Sequence, residues 1–118
     1  WCAAFWNLRA PTPFVDAYHD LLRAHSSEYD IMVKQEAAAA ALRGHPAVVA
    51  RQEAEFTNGQ LLDQEGLLGR AYSSSCVKNG VADAAAFEAA LGALFASHQR
   101  DGRVELRYRT VAVCWRLG

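Results

Sequence analysis

Residues 103–117 read RVELRYRTVAVCWRL, and the fold turns on how they are read. Val104, Leu106 and Tyr108 alternate with Glu105, Arg107 and Arg109, the period-two pattern of a strand with one wet face. From Thr110 onward the alternation gives way to Val111, Ala112, Val113, Cys114 and Trp115. Apolar atoms on both sides predict a stretch covered on both faces. A strand of about fifteen residues is long against the usual five or six. It is therefore expected inside a sheet, with a neighbour along each edge.

Two other stretches can supply those neighbours. Residues 1–6, WCAAFW, form a short uninterrupted apolar run, the signature of a buried strand. Val48 to Phe56 alternates, with Val48, Ala50, Gln52, Ala54 and Phe56 on one face and Arg51, Glu53 and Glu55 on the other. Asn58-Gly59 is a hairpin signal, but too few residues follow it to make a return strand before the next helix.

Helices fill the intervals. Thr12 and Pro13 are a cap and a first-turn residue, and Phe14, Tyr18, Leu21 and Leu22 then line one face of a helix to about Ala24. A second helix is predicted from about Asp30 to Arg43 through the alanines at 37–41, closed by Gly44 and Pro46. Asp63 caps a short helix carrying Leu67 and Leu68. Ser73 to Gly80 reads as a polar loop. Asp83 opens a longer helix with Phe87, Leu91, Leu94, Phe95 and His98 along one side, and Asp101-Gly102 turns into the closing strand.

At 118 residues the chain is one domain at most. A net charge of -1 gives no basic excess for nucleic acid, and no apolar run approaches a membrane span. Cys2, Cys76 and Cys114 are odd in number and lack metal-ligand spacing, which points to free thiols in a reducing, cytoplasmic setting. The chain opens on Trp1 rather than Met, and is expected to be a piece of something longer.

Most catalytic signatures are absent: there is no glycine-rich phosphate or dinucleotide loop, no C-x-x-C, no H-E-x-x-H and no G-x-S-x-G. His19 and His25 are six apart, a spacing that does not place them on one helix face, so no metal pair is expected, and the histidines read as surface or cap residues. Two polar clusters remain. Trp6-Asn7-Leu8-Arg9 lies at the carboxyl end of an apolar strand, where open α/β sheets bind ligands; it reads equally as the start of a loop with a solvated arginine. Gly69-Arg70-Ala71-Tyr72-Ser73-Ser74-Ser75 is either a second part of a site or a helix end running into a serine loop. Neither holds a nucleophile beside a base, so no catalytic residue is assigned.

On these clusters the sequence resembles the C-terminal half of class I S-adenosylmethionine-dependent methyltransferases, in the small-molecule branch that includes trans-aconitate methyltransferase-like enzymes. In that group the fifth strand follows a Pro-Gly-Gly turn and ends in Trp-Asn-x-Arg, matched by Trp6, Asn7 and Arg9. Residues 44–60 are similar to the sixth strand, with Phe56 and Gln60 in place. LDQEGLLGRAYSSS resembles the pattern Leu-x-x-Glu-x-Leu-x-Gly-Arg followed by Ser-x-Ser-Tyr, through Glu65, Leu67, Gly69, Arg70, Ser73 and Ser75; Cys76 stands where the group has Tyr. Tyr108-Arg109-Thr110 and VAVCW match the seventh strand.

The resemblance implies an α/β fold, the C-terminal part of a Rossmann-like methyltransferase. It would have a three-stranded sheet of order 5-7-6 and about four helices, with residues 1–118 forming a single partial domain. It implies a small-molecule substrate bearing a carboxylate, bound by Trp6, Asn7, Arg9, Arg70, Ser73 and Ser75. S-adenosylmethionine would be the cofactor of the whole parent enzyme, and the cofactor-binding half with its glycine-rich loop would precede Trp1. This stretch alone is then expected to hold no cofactor and to be inactive. Its partners would be the missing half or a second copy of itself. The rival reading is a non-enzymatic association module acting through an exposed sheet edge.

Overall fold

The structure is a computed structural model that describes residues 1–29, 40, 41 and 43–118. Among them are three strands, β1 (Cys2–Arg9), β2 (Val48–Leu62) and β3 (Val104–Leu117), and four helices, α1 (Pro13–His25), α2 (Gln64–Tyr72), α3 (Ser75–Gly80) and α4 (Ala84–His98). The helix expected over 30–43 falls largely outside the described residues; Ala40, Ala41 and Arg43 are helical.

The three strands form one α/β sheet of order β1-β3-β2, with β3 antiparallel to both neighbours. The closing strand is therefore central, as its length predicts. The order 5-7-6 counts strands of a seven-stranded parent, and what the described residues hold is this three-stranded antiparallel sheet. β1 is longer than the run 1–6, because Asn7, Leu8 and Arg9 continue the ladder opposite Thr110, Arg109 and Tyr108. β2 does not stop at Phe56. It runs straight through Asn58 and Gly59, which lie opposite Tyr108 and Arg107. A hairpin there would have left the edge of β3 unpaired beside the core, so the ladder overrides the turn signal.

The expectation that residues 111–115 are covered on both faces is not met. Val104, Leu106 and Tyr108 are buried on one face, whereas Val111 and Val113 are buried on the other, and Cys114 is exposed. The change of phase falls at Arg109 and Thr110. An apolar run records such a switch as readily as double burial, because periodicity is lost in either case. Val111 and Val113 sit between Trp6 and Ala4 on β1 and Glu55 and Glu53 on β2.

The helices cover only one end of the face bearing Leu106. In α1 the Thr12 hydroxyl accepts the Val15 N–H at 3.1 Å, and Phe14, Tyr18 and Leu22 turn inward. Asp63 caps α2 by accepting the Gly66 N–H at 2.7 Å, and Asp83 caps α4 by accepting the Ala86 N–H at 3.0 Å. Leu67, Ala71, Phe87, Leu91 and Phe95 join the strand residues in one core.

Residues 75–80 are helical rather than a loop, because Cys76 and Val77 are buried and anchor a turn beneath α1. The end of α1 is stapled there: the Ser26 hydroxyl donates to the Cys76 carbonyl and the Ser27 N–H to the Gly80 carbonyl. A Cβ on Gly80 would come within 2.9 Å of the Glu28 side chain, so the approach requires glycine.

A fifteen-residue strand spans roughly 50 Å, and the molecule measures 52 × 31 × 19 Å. The outer half of the sheet thus runs beyond its helices. Phe5 is 79% exposed and Phe56 57%, flanking Ala112 and Thr110 on the face that the helices cover further along. No described helix is long and apolar enough to cross a membrane.

The two halves of the sheet should differ in mutational cost. Leu106→Ala should lower the unfolding free energy by about 2–5 kcal/mol, the range for an aliphatic side chain lost from a packed core. Phe56→Ala should change it by less than about 1 kcal/mol. Urea midpoints measure both; equal losses would show that the outer half is as tightly packed as the inner.

Candidate functional site

The register of β1 against β3 sets Arg9 beside Tyr108. Arg9 lies over the ring of Tyr18, its guanidinium carbon 5.0 Å from the ring centroid, a cation–π arrangement. From α2, Arg70 reaches the same tyrosine pair. Its Nε and Nη2 both donate to the Tyr108 hydroxyl, at 3.2 and 3.0 Å. Its Nη1 donates to the Ser73 hydroxyl at 3.2 Å, which in turn donates to the Arg70 carbonyl at 2.7 Å. A guanidinium carries five N–H donors, so three are engaged and two are left.

Tyr18 and Tyr108 are both buried. Burial raises the Tyr18 pKa, and the charges of Arg9 and Arg70 oppose that rise without cancelling it. The phenol stays neutral. Among the described residues neither Arg9 nor Arg70 is in an ion pair; the five pairs present use Arg23, Arg43, Arg51, Arg107 and Arg109. Two guanidinium groups are thus held against two buried phenols with no carboxylate partner among the described residues, an arrangement that can attract an anion. No group here is placed as a nucleophile beside a base, and no metal-holding cluster occurs among the described residues.

Arg9, Arg70 and Ser73 are thus brought together. Asn7 is next to them, exposed, its Oδ1 accepting the Thr110 hydroxyl at 2.7 Å. Trp6 is not part of the group: it is opposite Val111, on the other face of the sheet from Arg9. Ser75 begins α3 and is exposed, and among the described residues no hydrogen bond ties it to the arginines. The buried serine is Ser74, 3.1 Å from the Cys76 sulfur.

Three contributors escape a reading of the sequence. Tyr18 and Tyr108 occupy inward positions of a helix and a strand, where an aromatic is read as core. The third is His19. It is neither a cap nor a plain surface residue, because its Nε2 is buried without a hydrogen-bond partner among the described residues and its ring meets Tyr29 edge-on at 5.9 Å. Burial lowers its pKa, and Arg9 lowers it further, with Asp16 pulling the other way.

Fold and site together define a small α/β unit, an antiparallel sheet half covered by helices, with Arg9 and Arg70 gathered at the inner end of its edge strand. No family model matches the chain, and no curated protein or solved structure does so either.

The lowered pKa of His19 makes stability depend on pH in a stated direction. The unfolded chain takes up a proton near the ordinary value of 6.5, while the folded imidazole resists it. The unfolded state therefore binds more protons, and stability should fall as pH drops through that value. Urea midpoints at about pH 7.5 and about pH 5.5 should show a smaller loss for His19→Gln than for the unaltered chain. Equal losses would mean that His19 protonates freely in the folded state.

Proposed function

We propose that these residues form the substrate-recognising part of an S-adenosylmethionine-dependent methyltransferase acting on a small molecule that bears carboxylates. The observation that carries the substrate class is the pair Arg9 and Arg70, oriented by Tyr18 and Tyr108 and free of carboxylate partners among the described residues. The methyltransferase assignment rests on the resemblance in residues 1–9, 44–60, 62–75 and 108–115. A carboxylate seated here would meet the two remaining donors of Arg70 on one side and the Arg9 guanidinium on the other.

The same cluster does not fit the cofactor. S-adenosylmethionine carries one carboxylate but also a sulfonium and an ammonium, and its net positive charge is repelled by unpaired guanidinium groups. In this reading the cofactor is held by a glycine-rich half outside these 118 residues, and no step through it is drawn from the present geometry. The contribution of the chain is to bind and align the acceptor, which is where in-line group transfer gains most.

Two calorimetric titrations test the reading. A tricarboxylate such as citrate should bind, and Arg70→Ala should weaken it by about 1.5–3 kcal/mol, the loss of a charged hydrogen bond. Arg116→Ala, at the far end of β3, should not. S-adenosylmethionine alone should give no saturable heat. Micromolar binding of the cofactor would overturn this division of labour, and unchanged citrate binding in Arg70→Ala would remove the site.

A second reading, association through a sheet edge, is favoured by one observation. Among the described residues the outer edge of β1 has no partner strand, and Trp1 and Phe5 stand 71% and 79% exposed there. No Lys or Pro guards the strand, and its first charge is Arg9; unguarded edges recruit further strands. Light scattering at micromolar concentrations should find a mass that grows with concentration, and Phe5→Lys should restore the monomer. A monomer throughout would sink the association reading.

A further inference from the structure

A second set of arginines stands apart from Arg9 and Arg70. After α4 the chain reverses through Asp101 and Gly102, whose φ angles of 53° and 75° are both positive, as a type I′ turn requires. The Gly102 N–H is held by the Gln99 side chain at 2.8 Å. On either side of the turn, Arg100 and Arg103 exchange both backbone hydrogen bonds, at 2.8 and 3.1 Å. They are directly opposed, so their side chains leave on the same side with Cβ atoms about 5.5 Å apart.

Like charges placed this way repel, and among the described residues no carboxylate pairs with either. Both line a cleft of about 370 Å³ together with Arg107 and the first turn of α1. Arg107 is already engaged with Glu105, through Nε and Nη2 at 3.2 Å each. The cleft therefore holds three guanidinium groups against one carboxylate. The N-terminal end of the α1 dipole adds to the same positive potential.

We propose that this cleft binds a phosphate-bearing ligand, clamped between Arg100 and Arg103. Its volume suits a small molecule. A carboxylate is satisfied by one planar fork, whereas a phosphate dianion accepts donors from several directions and can meet two opposed forks at once. It also neutralises both of the charges that the turn forces together. The site is distinct from the carboxylate site, because its lining includes none of Arg9, Tyr18, Arg70, Ser73 and Tyr108. It goes beyond the function proposed above and does not depend on it.

Titration of the 118-residue chain with inorganic pyrophosphate at low salt tests the proposal. Saturable binding is expected, weakened about tenfold or more in the double variant Arg100→Gln/Arg103→Gln and retained in Arg70→Ala. The double variant relieves a repulsion, so its urea midpoint should equal or exceed that of the unaltered chain, and the single variant Arg103→Gln provides a milder check. Absence of saturable binding at millimolar pyrophosphate, or undiminished binding in the double variant, would overturn the site. Loss of pyrophosphate binding in Arg70→Ala would overturn it too, by moving the ligand to the other cluster. Citrate binding that disappears in the double variant would overturn the choice of phosphate.

Discussion

The backbone of β3 offers donors and acceptors along both edges, and next to a core neither row can be left without partners. β1 comes from the start of the chain and β2 from its middle, so both ladders are non-local. The Asn7–Thr110 hydrogen bond closes a separation of 103 residues. Ladders of that kind require loop closure before they return any stabilisation. The helices are in a different position. Thr12, Asp63 and Asp83 cap them locally, but their apolar faces have nothing to cover until β3 is in place.

Tyr108 is where the ladder, the core and the anion site meet. Its backbone lies between Arg9 of β1 and Asn58 of β2, its ring belongs to the core, and its hydroxyl accepts two N–H groups from Arg70. A buried phenol needs a hydrogen-bond partner, so the arginine satisfies the fold while the fold orients the arginine. A leucine at this position would serve the core alone. The tyrosine couples the register of the sheet to the aim of a charged group on a helix some forty residues earlier in the chain.

Much of this was legible in the sequence where one residue decides one local feature. The caps Thr12, Asp63 and Asp83, the Asp101-Gly102 turn and the central place of residues 103–117 follow from short-range chemistry. What could not be read depends on distant partners. The passage of β2 through Asn58-Gly59 is settled by an edge of β3 about fifty residues away. The phase switch at Thr110 looks like double burial because apolar residues do not announce which face they cover. Within the site, Arg9, Arg70 and Ser73 stood out as polar groups at element ends, whereas Tyr18 and Tyr108 were hidden by occupying core positions. Trp6 and Ser75 are close to Arg9 and Arg70 in sequence, yet strand alternation and the start of α3 carry them elsewhere.

The way the arginines are held bears on which of them can recognise a ligand. Those in ion pairs are on the exposed surface, as with Arg109 and Glu55 at 2.8 Å and side chains about half exposed. Such pairs contribute little and are easily screened. Arg9, Arg70, Arg100 and Arg103 lack carboxylate partners among the described residues, and are positioned by other means: a ring face, a phenol with a serine, and a turn whose backbone is bonded in both directions. None of these contacts neutralises the charge. Each removes conformational freedom that an incoming anion would otherwise have to remove, and preorganisation of that kind is what separates a binding group from a solvated one. The two sets share no residue, so an anion bound at either leaves the groups of the other open.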